Sequence, residues 1–342
     1  MQLDFCGVVA AQAFQQFAIH KLTYYSAKEK SGLASQILVR AISKVADAYK
    51  LDKKVQRTFR PTGSIAYDDR ILRWHVSDGF VSIWSTAGRL RIPFVGGARQ
   101  LEQLRTRKGE ADLLLQDGLF YLVATCDIAE APMNNATEFL GVDLGVANIA
   151  FDSDGTPYSG SAVKSVRYRH LRLRAKLQKK QTRAAKRRLK KLSGKEYRFA
   201  KHTNHVISKQ IVACAEGTGR GIKLEDLSGI RNRITARRKQ RGVLHSWAFA
   251  QLGALVTYKA KQAGVPLVIV DPRNTSRECS ACGHIAKQNR PSRSVFRCVS
   301  CGFEVNADFN ASRVISGRPA CKPGEGDSAR LSESCSSTHD VS

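Results

Sequence analysis

Acidic side chains are the scarce component of this 342-residue chain: 29 Asp and Glu stand against 56 Lys and Arg, a formal net charge of +27. Such an excess asks for a polyanionic partner. No uninterrupted apolar run approaches the roughly 18 residues of a membrane span, so the expected partners do not include a membrane. Met1-Gln2-Leu3-Asp4 lacks the basic start of a secretory signal, and Gln and His interrupt the apolar stretch behind it. The expectation is a soluble intracellular protein. With 42% apolar residues the chain is not wholly disordered, and its length suggests two or three domains.

The positive excess is greatest between Lys164 and Lys201, where 17 Lys and Arg accompany a single acid, Glu196. Val166, Leu173, Leu177 and Ala184 recur at seven- and four-residue steps, and nothing breaks the stretch before Ser193-Gly194, which predicts one long helix with a thin apolar stripe. An ordinary surface helix balances its cations with acids at i+4. Here like charges face one another, at about 0.2–0.5 kcal/mol per pair, and phosphate neutralisation explains them better than a solvated face. The candidate nucleic-acid contacts are Arg167, Arg169, Arg172, Arg174, Lys176, Lys179, Lys180, Arg183, Lys186, Arg187 and Arg188. A second cluster, Arg231, Arg233, Arg237 and Arg238, lies between Gly229 and Gly242 and reads as a mobile basic loop, with an ordinary solvated loop as the alternative. Charge alone positions a nucleic-acid backbone and does not read base sequence.

Acids that do occur fall at telling places. The stretch 139–151 reads as an apolar strand ending at Asp143, a tight approach at Gly145, and a second strand from Val146 to Phe151; Asp152-Ser-Asp-Gly155 turns into a third. The basic helix follows, then a strand over 221–227, a helix over 244–263, a strand over 265–270, and a last helix from about Asp308. Three strands, helix, strand, helix, strand, helix is the element order of the ribonuclease-H-like fold. It carries Asp143 on the first strand, Glu225 on the fourth and Asp308 at the start of the last helix. Phosphodiester cleavage by two metals about 3.5–4 Å apart needs such a carboxylate cluster to hold hard cations. Asp226 rivals Glu225, and strand alternation lets only one of them face the site. Alone, Asp308 would be an ordinary N-cap. Gly-Val-Asp-Leu-Gly at 141–145 also resembles the phosphate loop of actin-like and Hsp70 ATPases, but those need the half-domain twice and no second copy is present.

Of nine cysteines, Cys279, Cys282, Cys298 and Cys301 form two CxxC pairs separated by fifteen residues, a four-thiolate zinc pattern. Gly283 and Gly302 follow each pair and let backbone N–H groups approach the sulfurs. Two disulfides are the disfavoured alternative. His284 is a spare ligand for a tetrahedron already complete, and a site with no open position is structural. Cys6, Cys126 and Cys214 read as core; Cys321 and Cys335 lie in a tail without apolar period that reads as disordered.

Together, Gly-Val-Asp-Leu-Gly at 141–145, Leu-Glu-Asp-Leu at 224–227, Asn-Thr-Ser-x2-Cys-Ser-x-Cys-Gly at 274–283 and Cys-x2-Cys-Gly-Phe-Glu-x-Asn-Ala-Asp-x-Asn-Ala at 298–311 resemble the TnpB family, the OrfB transposase-like proteins of insertion sequences, with compact type V CRISPR nucleases as relatives. The resemblance covers about the second half of the chain. It implies an RNA-guided DNA endonuclease of a mobile element with a RuvC-like domain. Asp143, Glu225 and Asp308 would be its catalytic, magnesium-holding acids, and Cys279, Cys282, Cys298 and Cys301 its zinc ligands. Guide RNA and target DNA would be the partners, and the location the prokaryotic cytoplasm beside the nucleoid. Many members have Asp-Arg-Asp before the last helix, where this chain has Asn306-Ala307-Asp308. A cleavage-deficient guide-dependent regulator and a guide-independent zinc-ribbon DNA binder are the alternatives.

The implied α/β architecture is a helical recognition segment (1–60), a wedge-like antiparallel β domain resembling a barrel (61–138), the RuvC-like domain (139–272), the ribbon (273–303), the final helix (304–316) and the tail (317–342). Ala34 to Tyr49 is amphipathic, with Ile37, Leu38, Ala41, Ile42, Val45 and Ala46 on one side. Alternating apolar residues from Ser64 to Ile128 predict short antiparallel strands with Trp74 and Trp84 in their core rather than stacked on bases. Members usually begin with a basic strand, whereas this chain opens at Met1 almost inside the helical part.

Overall fold

A computed structural model describes residues 14–53, 55, 57–116, 118–145, 148–227 and 249–320. The basic cluster Arg231, Arg233, Arg237 and Arg238, the tail from 321, and Cys6, Cys321 and Cys335 lie outside these residues. The chain divides into two compact units between Ile128 and Ala129.

In the first unit, α1 (Gln16–Ser31) and α2 (Ser35–Leu51) pair through Ile19, Ile42, Val45, Ala46 and Tyr49. Gly32 between them takes a φ of 63°, a left-handed turn that a residue without a side chain adopts freely. Ile37 of α2 packs with Tyr67, Ile71, Leu72, Ile83 and Ala111. Apart from Ile71, which sits in a turn, those residues come from two three-stranded antiparallel sheets. One joins β2 (Leu72–His75), β3 (Phe80–Ser85) and β4 (Gly88–Pro93). The other joins β1 (Ile65–Tyr67), β5 (Arg107–Gln116) and β6 (Leu119–Cys126); a short helix α3 (Ala98–Gln103) intervenes in sequence. Period-two alternation decides which side chains enter. Val81 and Ile83 are buried, so Trp84 turns outward, 37% exposed beneath the Arg89 guanidinium at 5.6 Å, contrary to its expected place in the core. Trp74 is half-buried against Phe94.

Residues 129–138 were expected with the β part and instead bond within the second unit: Ala131 N–H donates to Gln262 O at 3.1 Å and Asn134 N–H to Gly264 O at 2.8 Å. The sheet of this unit runs β11 (Leu267–Val270), β10 (Gly221–Glu225), β7 (Phe139–Asp143), β8 (Asn148–Asp152), β9 (Pro157–Ser159). β7, β8 and β9 are antiparallel neighbours, while β10 runs parallel to both β7 and β11. Leu140 and Val142 of β7 and Ile222 and Leu224 of β10 point to one face, where they meet Ile207, Ile211 and Ala215 of α5 (Arg183–Gly217) and Leu252, Val256 and Ala260 of α6 (Phe249–Gln262). The intervening residues Gly141 and Lys223 point to the other face, which is covered by α7 (Ala307–Gly317).

The predicted single basic helix is a helical hairpin, α4 (Ser161–Lys180) and α5. The break falls not at Ser193-Gly194 but at Gln181, whose φ of 49° ends α4, and at Thr182, whose hydroxyl accepts from Ala185 N–H at 3.2 Å and starts α5. Glu196, the only acid in the stretch, joins the two helices: Arg174 lies 2.7 Å from its Oε2, Arg167 3.4 Å from its Oε1, and His170 Nδ1 3.6 Å from its Oε2.

The contact of α7 with β7 leaves no room for a side chain. A Cβ on Gly141 would lie 2.1 Å from Ser312 O and 2.5 Å from Ser316 N, both backbone atoms. Gly141→Ala is therefore expected to lower stability by about 1–3 kcal/mol or more, because neither backbone can yield without moving α7. Gly253→Ala in α6 meets nothing within 4 Å and should raise stability by about 0.5–1 kcal/mol. Thermal unfolding of the two variants checks both signs.

Candidate functional site

Strand direction and register assemble the acids. Leu224 pairs with Val142 in the parallel β7–β10 ladder, so the next residues, Glu225 and Asp143, lie side by side where the two strands end. Both share the face of Gly141 and Lys223, each two residues earlier. That face belongs to α7: Lys223 Nζ donates to Ser316 O at 2.8 Å, and the Ser316 hydroxyl to Phe139 O at 2.6 Å. The N-terminus of α7 carries the third acid, Asp308. Asn306 caps this helix, its side-chain oxygen accepting from Asp308 N–H at 2.9 Å and Phe309 N–H at 3.2 Å. Alternation sends Asp226 to the opposite side, and its N–H bonds Val270 O at 2.9 Å.

The three carboxylates act on one another. Burial holds Asp143 well above the usual carboxylate range, and the charges of Glu225 and then Asp308 add to this, while Arg290 opposes it. Burial also raises Glu225, against a hydrogen bond from Thr275 and the charge of Arg318. Glu225 Oε1 is buried and has no hydrogen-bond partner. A buried carboxylate oxygen left without a donor, beside two more acids, is the arrangement a hard cation completes. Asp308 is held from the side by Asn148, whose amide donates to Oδ2 at 3.1 Å, with Arg290 4.0 Å from Oδ1.

Thr275, Arg290, Arg318 and Asn148 were not singled out from sequence. Thr275 stands inside the Asn-Thr-Ser run that was noted only for its resemblance. Nothing in the spacing distinguishes Arg290 from the other arginines of the segment; only the fold of the ribbon aims it at Asp308.

The four thiols converge as a second centre. All four sulfurs lie within 4.8 Å of one another, with Cys279 and Cys301 at 3.7 Å and Cys282 and Cys298 at 3.6 Å. These separations are too long for a disulfide bond and close to the edge, about 3.8 Å, of a tetrahedron with 2.3 Å metal–sulfur bonds. Gly283 and Gly302, at φ of 75° and 74°, donate their N–H groups to Cys279 O at 2.8 Å and Cys298 O at 3.0 Å and close the two turns. Backbone N–H groups of Cys301 and Ser300 hold the Cys298 thiol at about 6. Cys282 is pushed up to about 12 by the crowded thiols even though His284 N–H donates to it. His284 takes part only through its backbone. Cys126 and Cys214 are half-buried; Cys214 packs against the core of the second unit, its thiol lying 3.8 Å from the Asp154 carboxylate. Asn310 of α7 ties the ribbon to the carboxylate side: its oxygen accepts from Ser280 N–H at 3.0 Å and its amide donates to Glu278 O at 2.7 Å.

Arg169, Arg172, Lys176, Lys179, Lys180, Arg183, Lys186, Arg187 and Arg188 are exposed on the hairpin, free to meet phosphates. Arg167 and Arg174 instead bond Glu196 between the helices. Burial holds Lys164, at the start of α4, below the ordinary lysine value; the Arg293 charge adds to this and the Asp308 charge opposes it, so the hairpin begins beside the acids.

The comparisons with known proteins fall on the same parts. Residues 121–227 match a family model described as "Probable transposase", and residues 249–315 match the "Cas12f1-like, TNB domain". The CRISPR-associated endodeoxyribonuclease Cas12f1 of Sulfoacidibacillus thermotolerans is 40% identical over 129 residues, 37% of this chain and 29% of that protein. A TnpB-like protein of Methanocaldococcus jannaschii is 29% identical over 190 residues, 52% of this chain and 68% of that protein. A solved Cas12f1–sgRNA–target DNA complex aligns over 86% of this chain and 82% of its own, at 18% identity and a TM-score of 0.45. The chain spans less than half the length of the Cas12f1 relatives it matches.

The raised carboxyl of Asp143 sets a pH dependence. An acid whose folded value exceeds its unfolded value stabilises fully below the unfolded value, and that contribution is lost as pH rises through the folded one. In divalent-free buffer the protein is thus expected to lose stability from the ordinary carboxylate range upward. Asp143→Asn should flatten this slope and raise the unfolding midpoint at neutral pH. Parallel pH–stability profiles for the two proteins would contradict the crowded carboxylate.

Proposed function

We infer, for a chain related to TnpB-like proteins and to Cas12f1 through residues 121–227 and 249–315, that its activity is RNA-guided DNA cleavage on behalf of a mobile element. The observation that carries this reading is that the charges of Glu225 and Asp308 both bear on the buried Asp143, with the buried Oε1 of Glu225 left without a partner. The sheet order, three antiparallel strands followed by two parallel ones, supports reading this unit as a ribonuclease-H-like, RuvC-type nuclease domain.

Asp143, Glu225 and Asp308 would hold a pair of magnesium ions, which when bound neutralise the scissile phosphate and activate the attacking water. The remaining residues prepare that place. Thr275 orients the Glu225 carboxylate, Asn148 orients Asp308, and Arg290 keeps positive charge beside Asp308 where a phosphate oxygen would otherwise meet only acids. The four cysteines would hold zinc as a structural ion, since four thiolates leave no position open for substrate. The exposed cations of the hairpin hold the nucleic-acid backbone beside the acids. In this class of recognition base pairing reads sequence, and the protein needs only shape, charge and a short flanking motif.

Replacing Asp143, Glu225 or Asp308 by Ala is expected to abolish divalent-dependent cleavage of guide-matched plasmid while nucleic-acid binding persists. Undiminished cleavage by Asp143→Ala would sink the site assignment. Elemental analysis of the purified protein should find one zinc per chain, lost in Cys298→Ser together with protease resistance over 273–303.

A further inference from the structure

The exposed cations of the hairpin suit phosphate, yet α4 also presents a ring. A shallow, open groove of about 640 Å³ lies along one face of this helix, lined among the described residues by Ser165, Tyr168, Arg169, Arg172, Leu173 and Lys176. At 3.6 residues per turn these positions lie on the side of α4 opposite Arg167, His170 and Arg174, which bond Glu196. The helix carries no acid of its own. Its inward face has already taken Glu196, and every charge that lines the groove is positive. Tyr168 lies within it, 61% exposed, with Arg169, Arg172 and Lys176 also open to solvent.

We propose that this groove is a stacking site for an unpaired nucleotide, with Tyr168 meeting the base face and Arg169, Arg172 and Lys176 holding the flanking phosphates. Charge complementarity alone would be satisfied by any phosphate backbone. An exposed aromatic face set among three cations adds a term that only an unstacked base can use, because in a duplex both faces of each base are covered by its neighbours. The proposal rests on the nuclease reading for what the strand is, and on the groove for how the strand is held. The base belongs either to the guide RNA or to a DNA strand separated from its partner; the chemistry of the contact is the same for both.

The test is equilibrium binding of the full chain to three fluorescent probes of equal length: an unstructured RNA, the corresponding single-stranded DNA and a DNA duplex. Tyr168→Ala is expected to weaken binding of at least one single-stranded probe about five- to tenfold, to leave the duplex unaffected, and to leave the salt dependence unchanged. Tyr168→Phe should retain affinity, because the ring and not the hydroxyl does the stacking. Arg172→Ala should instead lower the log–log salt slope by about one for every probe. Whichever single strand suffers in Tyr168→Ala names the source of the base. Wild-type affinity in Tyr168→Ala, equal losses for single strands and duplex, or a Phe variant as weak as the Ala variant would each overturn the stacking site while leaving the nuclease reading intact. A wild-type chain that binds none of the probes would overturn both. Tyr168 is exposed and outside the cores, so unchanged thermal unfolding verifies that the variants are folded.

Discussion

One contact governs the second unit: the backbone of α7 lies directly on β7 at Gly141, closer than any side chain permits. The Ser312 hydroxyl donates to Asp152 O at 2.9 Å and the Ser316 hydroxyl to Phe139 O at 2.6 Å, so small polar residues replace the apolar ridge with which a helix usually meets a sheet. The result is a helix anchored along the sheet, with its first turn held at the ends of β7 and β10. Two carboxylates come from adjacent parallel strands and the third from the end of a helix that cannot slide. The ribbon that precedes α7 is drawn to the same place, which is how Arg290 reaches Asp308.

Such crowding costs stability. Burial and the charges of Glu225 and Asp308 raise Asp143, and the buried Oε1 of Glu225 lacks a donor, the kind of perturbed cluster that gathers at functional sites. The basic hairpin solves the opposite problem. Seventeen cations in 38 residues repel one another, and the single acid is placed between the helices, where it holds Arg167 and Arg174. The exposed cations of this stretch have no further acid within it, and a polyanion is the partner that relieves them.

Legibility differed by kind of signal. The order of strands and helices in the second unit was readable because each strand is a short apolar run bounded by turn residues, and the two CxxC pairs announced converging sulfurs. Glu225 could be chosen over Asp226 by alternation once Lys223 was seen bonded to α7. The single long helix was misread because neither Gln181 nor Thr182 is a breaker by composition; a left-handed residue and a capping hydroxyl made the turn. Trp84 was misread because aromatic residues were counted as core without applying the period that buries Ile83 and turns its neighbour outward. The boundary near 129 was invisible because residues 131–134 join the second unit through backbone bonds, which leave no mark on side-chain pattern.

The amino-acid sequence by itself determined the charge of the partner, the four sulfur ligands and the identity of three candidate acids, because composition and local spacing carry those facts. Only the tertiary structure decided which cations remain free for phosphate, which oxygen of Glu225 lacks a donor, and that Thr275, Asn148 and Arg290 attend the acids. Those relations join residues as far apart as 148 and 308, and contact across such distances depends on the register of strands and the seating of one helix rather than on any local pattern.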